Sequence, residues 1–333
     1  MYEIIENDVD IILSKVSLLP LKNKSMLITG ASGLLGIYFI SCLKRLQKEY
    51  NLDIYVWVKN DIDKNFQYFF DFKCNVIQHD ITDVSFFNNL IKFDYIIHSS
   101  GYGQPIKFAN NKIKTIQINT TSTVELLNLL KNDGKFLFIS SSEVYNGLDK
   151  FEVTENEIGI TNTDHPRACY IESKKCGETI CHSFNKNVKI ARLSTCYGPG
   201  AKSGDSRVIG SLIDKGMKNE KIELLDNGQS LRTFCYITDV MEMMWNILLY
   251  GKEITYNVGG IYKLNILELA EKIGIYFNKS VKLPEVSTEL SGSPKIVNIS
   301  INRYINEFKK TDFVDIDTGL KNTIEWHLKI IDK

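Results

Sequence analysis

Residues Thr29-Gly30-Ala31-Ser32-Gly33-Leu34-Leu35-Gly36 follow the apolar run Met26-Leu27-Ile28 and open an amphipathic stretch from Ile37 to Leu46, so they join a strand to a helix. Three glycines at that junction restrict the fold sharply. Gly30 is placed to make the tight turn, Gly33 to let backbone approach a ligand, and Gly36 to let the helix pack closely on the strand. The helix N-terminus presents unpaired N–H groups, which suit the pyrophosphate of a dinucleotide. Gly30, Ser32, Gly33, Leu34, Leu35 and Gly36 are therefore the candidate cofactor-binding residues of the turn.

Beyond this junction, apolar strand-like runs alternate with helical patterns: Met26 to Thr29, Ile54 to Val58, Asn75 to His79, Tyr95 to Ser99, Phe136 to Ser140 and Val188 to Leu193. That rhythm predicts an α/β protein, a Rossmann doubly wound parallel sheet with helices on both faces. Tyr2 to Val16 reads as an amphipathic helix packed before the first strand. After Gly198-Pro199-Gly200 the elements shorten, with helices expected over Val208–Asn219 and around Leu320–Ile330. The expected division is residues 1–197 as the dinucleotide-binding domain, with a return segment about 233–261. Residues 198–232 and 262–333 form a second, smaller α/β substrate domain.

Composition narrows the partners. The 333 residues carry 40 basic and 40 acidic side chains with no block of like charge, which argues against nucleic acid and anionic membranes. No apolar run reaches the ~20 residues of a membrane span, and the N-terminus MYEIIENDVD is acidic where a signal peptide is basic. A cytoplasmic protein is expected. The seven cysteines are odd in number and lack paired metal spacing, so reduced, mostly buried thiols and no metal are expected.

The catalytic signal lies in two pieces. Ser140-Ser141-Ser142-Glu143-Val144-Tyr145 ends the fifth strand, and Tyr170-Ile171-Glu172-Ser173-Lys174 begins a helix. Tyr170 and Lys174, four apart, share one helical face, so the ammonium is expected to lower the phenol's pKa toward working pH. The phenolate then takes a proton from a sugar hydroxyl while hydride leaves for a nicotinamide, with the Ser141 hydroxyl bonded to the same oxygen. Tyr-x-x-x-Lys alone is weak evidence in a chain with 16 tyrosines, and Tyr55 with Lys59 supplies a decoy inside the second strand. Position after the serine cluster and the glycine turn separates Tyr170 from that decoy.

At these residues the chain resembles the extended short-chain dehydrogenase/reductase superfamily, whose members include nucleotide-sugar epimerases, dehydratases and decarboxylases. The likeness covers nearly the whole chain. It implies that Asp80 and Ile81 after the third strand bind adenine, that Ser99-Ser100-Gly101 lies under the cofactor, and that Arg207 and Arg232 meet the nucleotide diphosphate and sugar. Asp80 equally suits a helix cap. Within the superfamily, Ser141-Ser142-Glu143-Val144-Tyr145 and Pro166-Arg167-Ala168-Cys169-Tyr170 are most similar to UDP-glucuronate decarboxylases. The resemblance implies NAD-dependent oxidation at C4, loss of carbon dioxide from the β-keto acid, and reduction of the ketone, in a homodimeric enzyme of polysaccharide biosynthesis. The implied reacting set is Ser141, Ser142, Glu143, Tyr170 and Lys174.

Three features depart from the family pattern. Thr195 stands where the family has an asparagine that binds substrate. Lys59-Asn60 replaces the acid that bonds the adenosine ribose, so Lys59 either accepts the 2'-phosphate of NADP or is solvated. The loop Gly101-Tyr102-Gly103-Gln104-Pro105 is unusual, and Tyr102 and Gln104 become candidates to line the sugar pocket. NAD is the expected cofactor, with NADP as the alternative. A 4,6-dehydratase, a 4-epimerase, an NADP-dependent 4-keto-sugar reductase and a catalytically silent dinucleotide-binding regulatory protein stay open as rival functions.

Overall fold

The computed structural model describes residues 2–184, 187–286 and 292–331. In chain order, α1 (Glu3–Lys15) precedes β1 (Ser25–Thr29), α2 (Leu34–Tyr50), β2 (Asp53–Val58), α3 (Gln67–Phe70), β3 (Asn75–Gln78) and β4 (Phe93–His98). Then come α4 (Pro105–Asn110), α5 (Lys112–Asn119), α6 (Thr121–Asn128), β5 (Leu130–Ser141), α7 (Ala168–Ser183) and β6 (Asn187–Leu193). The remainder contains β7 (Thr195–Tyr197), α8 (Val208–Lys218), β8 (Lys221–Glu223), β9 (Leu231–Tyr236), α9 (Ile237–Tyr250) and β10 (Thr255–Val258). It ends with β11 (Tyr262–Asn265), α10 (Ile266–Phe277), β12 (Ser280–Lys282), β13 (Ile296–Val297), α11 (Asn302–Phe308) and α12 (Ile316–Ile331).

Among the described residues, seven strands form one sheet in the order β3-β2-β1-β4-β5-β6-β10, every neighbouring pair parallel. The apolar strands dictate this, because β1 is buried along its whole length and needs helices on both faces. The chain winds outward from β1 through β2 to β3, then crosses back to β4 on the other side. Loops leaving β1 and β4 therefore diverge, and the crevice between them is where an open α/β sheet takes its ligand. β9 pairs with β7, β11 and β13 in a small sheet, and β8 pairs with β12. α9 is mostly apolar and buried on nearly every side, including Met241, Met243, Met244 and Trp245, with Phe39 of α2 edge-on to Trp245 at 5.0 Å. No helix among the described residues is long and apolar enough to cross a membrane.

Some boundaries differ from those the sequence suggests. β5 begins at Leu130 rather than Phe136, because Leu130 pairs with Phe93 and Lys135 with Tyr95 of β4, while Lys131-Asn132-Asp133-Gly134, which reads as a turn, forms the irregularity between those pairs. The preceding helix stops at Asn128. α12 starts at Ile316 rather than Leu320, since Asp315 Oδ1 accepts the Thr318 N–H at 2.9 Å and supplies a cap that the apolar pattern does not reveal.

The N-terminal helix is tied down by a buried carboxyl. Asp8 of α1 accepts the Tyr38 hydroxyl at 2.6 Å and the Tyr236 hydroxyl at 3.1 Å, and burial pushes its pKa up to about 7. Both phenols donate to it, and the nearby Asp239 charge reinforces the rise. A folded pKa above the unfolded value means that this group favours folding least at high pH, once it must ionise inside the protein. Asp8→Asn should therefore leave stability near wild type at pH 4 and gain progressively through pH 4–7. The gain should level off above pH 7 at roughly 2–4 kcal/mol, measured by denaturant unfolding across that range.

Candidate active site

The glycine turn sits at the crevice. Gly30 adopts φ +67°, and a Cβ there would lie 2.7 Å from the Ser99 carbonyl oxygen, so at Gly30 the turn meets the loop after β4 backbone to backbone. A Cβ on Gly36 would lie 2.4 Å from the Gly30 carbonyl oxygen, which forces glycine at that helix position. Gly33 is the N-cap of α2 and no side chain caps the first turn. Ser32 and Leu35 are half-buried, Leu34 is buried, and Gly33 is exposed at the crevice. These features fit a dinucleotide: a close backbone approach, an uncapped helix N-terminus, and an open Gly101 with nothing within 4 Å of where its Cβ would be.

The loop after β4 is fixed by a directional chain of hydrogen bonds. Burial lowers the His98 pKa to about 3, so the ring is neutral. Its Nε2 faces the Ile118 carbonyl at 3.0 Å, which only accepts, so Nε2 carries the proton and Nδ1 is bare. Thr29 then donates to Nδ1 at 2.9 Å and accepts the Ser100 N–H at 3.2 Å. Ser99 donates to the Thr29 carbonyl at 2.6 Å. Thr29 and His98 thus hold Ser99, Ser100 and Gly101 in place, a role not visible in spacing.

At the outer end of the crevice, Lys59 Nζ lies 3.2 Å from Asp80 Oδ2 and 3.3 Å from the Tyr102 hydroxyl. Lys114 donates to the same Asp80 oxygen at 2.6 Å. Burial alone would raise the Asp80 pKa, but Lys114, Thr82 and Lys59 together hold it well below the usual carboxylate range. Ile81 offers its carbonyl to Ser122 at 2.8 Å. Lys114 escaped the sequence reading because it lies on α5, far along the chain from the third strand.

The second cluster forms where β5 ends. Ser141 Oγ accepts the Glu143 N–H at 3.2 Å, starting a single tight turn over Ser142–Tyr145. Tyr170, in the first turn of α7, lies by Ser141, and its ring stacks on Phe108 at 4.8 Å and 11°. Desolvation raises the Tyr170 pKa; the Ser141 hydroxyl and the charges of Arg167 and Arg207 oppose the rise, while Glu143 adds to it. Lys174 acts differently from the expected pairing. Its ammonium donates to the Ile139 carbonyl at 2.6 Å and sits 5.9 Å from the Tyr170 ring centroid, and burial brings its own pKa down to about 7. The four-residue spacing placed both side chains on one face, but the backbone of β5 takes the ammonium.

Three arginines surround this cluster. Arg167 clasps Glu143 with Nε at 3.1 Å from Oε2 and Nη2 at 2.5 Å from Oε1. It also lies over the Phe108 ring at 5.3 Å. Arg207 forms a fork with Asp205, at 2.9 Å from Nε to Oδ2 and 2.5 Å from Nη2 to Oδ2. Gln104 donates to Asp205 Oδ1 at 3.0 Å, so two candidate substrate residues meet through an acid that spacing did not single out. Arg232 has no carboxylate within ion-pair distance among the described residues; it donates to the Leu231 carbonyl at 2.8 Å and to Ser293 Oγ at 3.0 Å. Burial lowers its pKa, the Glu143 charge raises it, and the Arg167 charge lowers it further. Thr195 is half-buried in β7 opposite Phe234. Ser142 is half-buried beside Glu143. Among the described residues no group of three or more His, Cys, Asp or Glu side chains is placed to hold a metal ion.

The profile of the NAD dependent epimerase/dehydratase family matches residues 26–259. Among curated relatives, UDP-glucuronic acid decarboxylase 6 of Arabidopsis thaliana is 28% identical over 280 residues, covering 79% of this chain and 77% of the relative. UDP-glucuronic acid decarboxylase 1 of Xenopus tropicalis is 26% identical over 318 residues, covering 92% and 72%. Among solved structures, the UDP-glucuronic acid 4-epimerase of Bacillus cereus, in complex with UDP-glucuronic acid and NAD, superposes with a TM-score of 0.76 at 20% identity, over 92% of this chain and 99% of that one. The dTDP-glucose 4,6-dehydratase of Bacillus anthracis, in complex with NAD, gives 0.74 at 21%, over 92% and 96%. The fold expectation and the NAD expectation both agree with these findings.

The turn geometry generates a direct test. Gly36→Ala should cost about 2 kcal/mol or more of stability and abolish retention of dinucleotide, because backbone on both sides must move. Gly101→Ala, in open space, should leave the melting temperature within about 1 °C of wild type. Thermal unfolding, together with mass spectrometry of the supernatant after denaturation, checks both.

Proposed function

The chain belongs to the NAD dependent epimerase/dehydratase family, and from that premise we propose that it is a nucleotide-sugar enzyme working by transient oxidation at C4, with UDP-glucuronate decarboxylation as its reaction. One observation carries this reading: Glu143, clasped by Arg167, stands beside the Tyr170 phenol and Ser141. A plain ketone reduction needs no such carboxylate. The relatives that are UDP-glucuronic acid decarboxylases support the choice, and a 4,6-dehydratase is the rival reading.

In this proposal Tyr170 takes the proton of the C4 hydroxyl and Ser141 bonds the same oxygen. Bound NAD supplies the acceptor for the C4 hydride and returns it at the end of the cycle. The ketone so formed is β to the C6 carboxylate, so the C5–C6 bond breaks with its electron pair drawn into the C4 carbonyl, and carbon dioxide leaves. Glu143 and Ser142 act at C5 and C6, relaying to C5 of the resulting enolate a proton taken from water. Tyr170 then returns its proton to the C4 oxygen as the ketone is reduced. Arg232, with no carboxylate in ion-pair distance among the described residues, binds the sugar nucleotide, and Lys174 orients the cofactor's ribose from its place beneath Tyr170. Gln104, Tyr102, Thr195 and the Arg207–Asp205 pair line the substrate side.

A homodimer is part of the same reading. α7 is covered on one face by α5, where Asn119 donates to Ser173 Oγ at 2.9 Å, while α5 leaves Ile113 and Ile116 exposed. A second copy packing on this helical face would remove them from water. Light scattering at micromolar concentration should give twice the chain mass; a monomer mass refutes the dimer.

The chemistry has its own tests. In a nucleotide-sugar panel, UDP-glucuronate should protect best against heat. Tyr170→Phe should lower turnover by about 10²–10⁴-fold while retaining dinucleotide. Glu143→Gln should still reduce bound NAD, seen as absorbance near 340 nm, but should stall before product. Wild-type turnover by Glu143→Gln would remove the residue on which decarboxylation rests and favour a reductase or epimerase.

A further inference from the structure

We propose that Gln104, Asp205 and Ser206 form a clasp between the loop after β4 and the segment before α8, which opens on its Gln104 side to admit the substrate nucleotide and shuts behind it. The proposal rests on the nucleotide-sugar reading and gives that site a moving part. Gln104 occupies the N-cap position of α4, where a polar side chain ordinarily turns back to the helix's own N–H groups, yet it caps nothing there. Its amide reaches instead to Asp205, 101 residues further on. Nε2 donates to Asp205 Oδ1 at 3.0 Å, and Oε1 accepts the Ser206 hydroxyl at 3.0 Å. Both ends of one amide are thus satisfied by two consecutive residues.

The two sides of the clasp differ in strength. Asp205, its side chain only 5% exposed, holds the Arg207 fork and also accepts the Arg207 N–H at 3.0 Å. Burial alone would raise the Asp205 pKa, but Arg207 holds it below the usual carboxylate value, so this side stays charged and shut. Gly210 lets α8 close on it, since a Cβ there would lie 2.5 Å from the Asp205 carbonyl oxygen. On the other side the amide is neutral and Ser206 is exposed. Nothing lies within 4 Å of where a Gly103 Cβ would be, so the arm that bears Gln104 is not wedged in place. Opening therefore breaks the two hydrogen bonds of the amide and leaves the ion pair whole.

The surroundings of the clasp give it a use. α4 also carries Phe108, whose ring stacks on Tyr170, and the Arg207 charge acts on the Tyr170 phenol. The clasp thus spans the crevice at its reacting end, with Arg207, 36% exposed, within reach of a diphosphate. A ketone that is made and then reduced on one enzyme must be kept from leaving between the two steps. A clasp that shuts over it meets that need.

The test uses the full chain with its dinucleotide bound, UDP as the probe, and two variants: Ser206→Ala removes one hydrogen bond of the Gln104 amide, and Gln104→Ala removes both. In stopped-flow displacement of bound UDP, dissociation should be about threefold faster for Ser206→Ala and about tenfold faster for Gln104→Ala. Amide hydrogen exchange in Ser206→Ala should rise in residues 101–105 as well as in 204–207, because the loop after β4 loses its partner. Melting temperatures within about 1 °C of wild type separate loss of the clasp from loss of the fold. Unchanged UDP dissociation in both variants, or faster exchange confined to 204–207, overturns the clasp and leaves the nucleotide-sugar reading standing. Failure of the wild type to bind UDP overturns both.

Discussion

The contact between Gly36 and Gly30 is the constraint from which the crevice follows. Glycine inside a helix costs about 1 kcal/mol relative to alanine, yet any side chain at Gly36 would occupy the space of the Gly30 carbonyl and the Ala31 backbone. α2 can approach β1 closely only because both partners are bare backbone there. That approach sets where the N–H groups of the first helical turn point. It also fixes Gly30 against Ser99 and Ser100, so the loops after β1 and β4 are positioned together rather than separately. Sheet topology opens the crevice; two glycines decide its shape.

The reacting cluster depends on a second, electrostatic constraint. Arg192 of β6 and Glu178 of α7 form a buried pair at 2.7 Å, with side chains only 6% and 5% exposed. Such a pair is weak evidence for net stability, since desolvating both charges offsets much of their attraction. Its geometric effect is clearer. Glu178 also accepts Ser140 of β5 at 2.5 Å, and Arg192 donates to the Tyr145 hydroxyl at 2.9 Å. One ion pair therefore joins β5, β6, α7 and the turn after Ser141, which are the elements that carry Ser141, Glu143 and Tyr170. The Gly177 position, where a Cβ would meet the Phe138 ring at 2.5 Å, lets α7 lie close enough for that reach.

Legibility divides along the same line. The strands of the sheet, the glycine turn, and the pairing of Ser141 with Tyr170 were readable because each is announced by local periodicity or by residue types with few other uses. The partners that set charge were not. Arg167 lies three residues before Tyr170, in a segment noticed only for its likeness, and nothing local says that its fork closes on Glu143 rather than on solvent. Asp205 and Lys114 are ordinary surface residues until the fold brings them to Gln104, Arg207 and Asp80. Lys174 shows the limit most plainly: spacing correctly put it on the face of Tyr170, but the nearest strong acceptor was a backbone carbonyl, which no pattern of side chains reveals.

Charge allocation across the site ties these observations to the proposed chemistry. Two of the three guanidiniums are already matched, Arg167 by Glu143 and Arg207 by Asp205, while Arg232 has only neutral oxygens as partners among the described residues and loses basicity through burial. An unmatched, partly desolvated cation is costly until an anion arrives. The protein tolerates it where a nucleotide diphosphate or a sugar carboxylate would complete the pair. Glu143 occupies the opposite position, fully ligated before substrate binds, so any acid–base role requires its bond to Arg167 to loosen as a second carboxylate enters. In the proposed reaction a carboxylate on the sugar would compete for the single Arg167 fork and so release Glu143. On the proposed reaction, binding of a uronic acid and activation of the carboxylate beside its C5 are therefore one event, which a neutral hexose would not trigger.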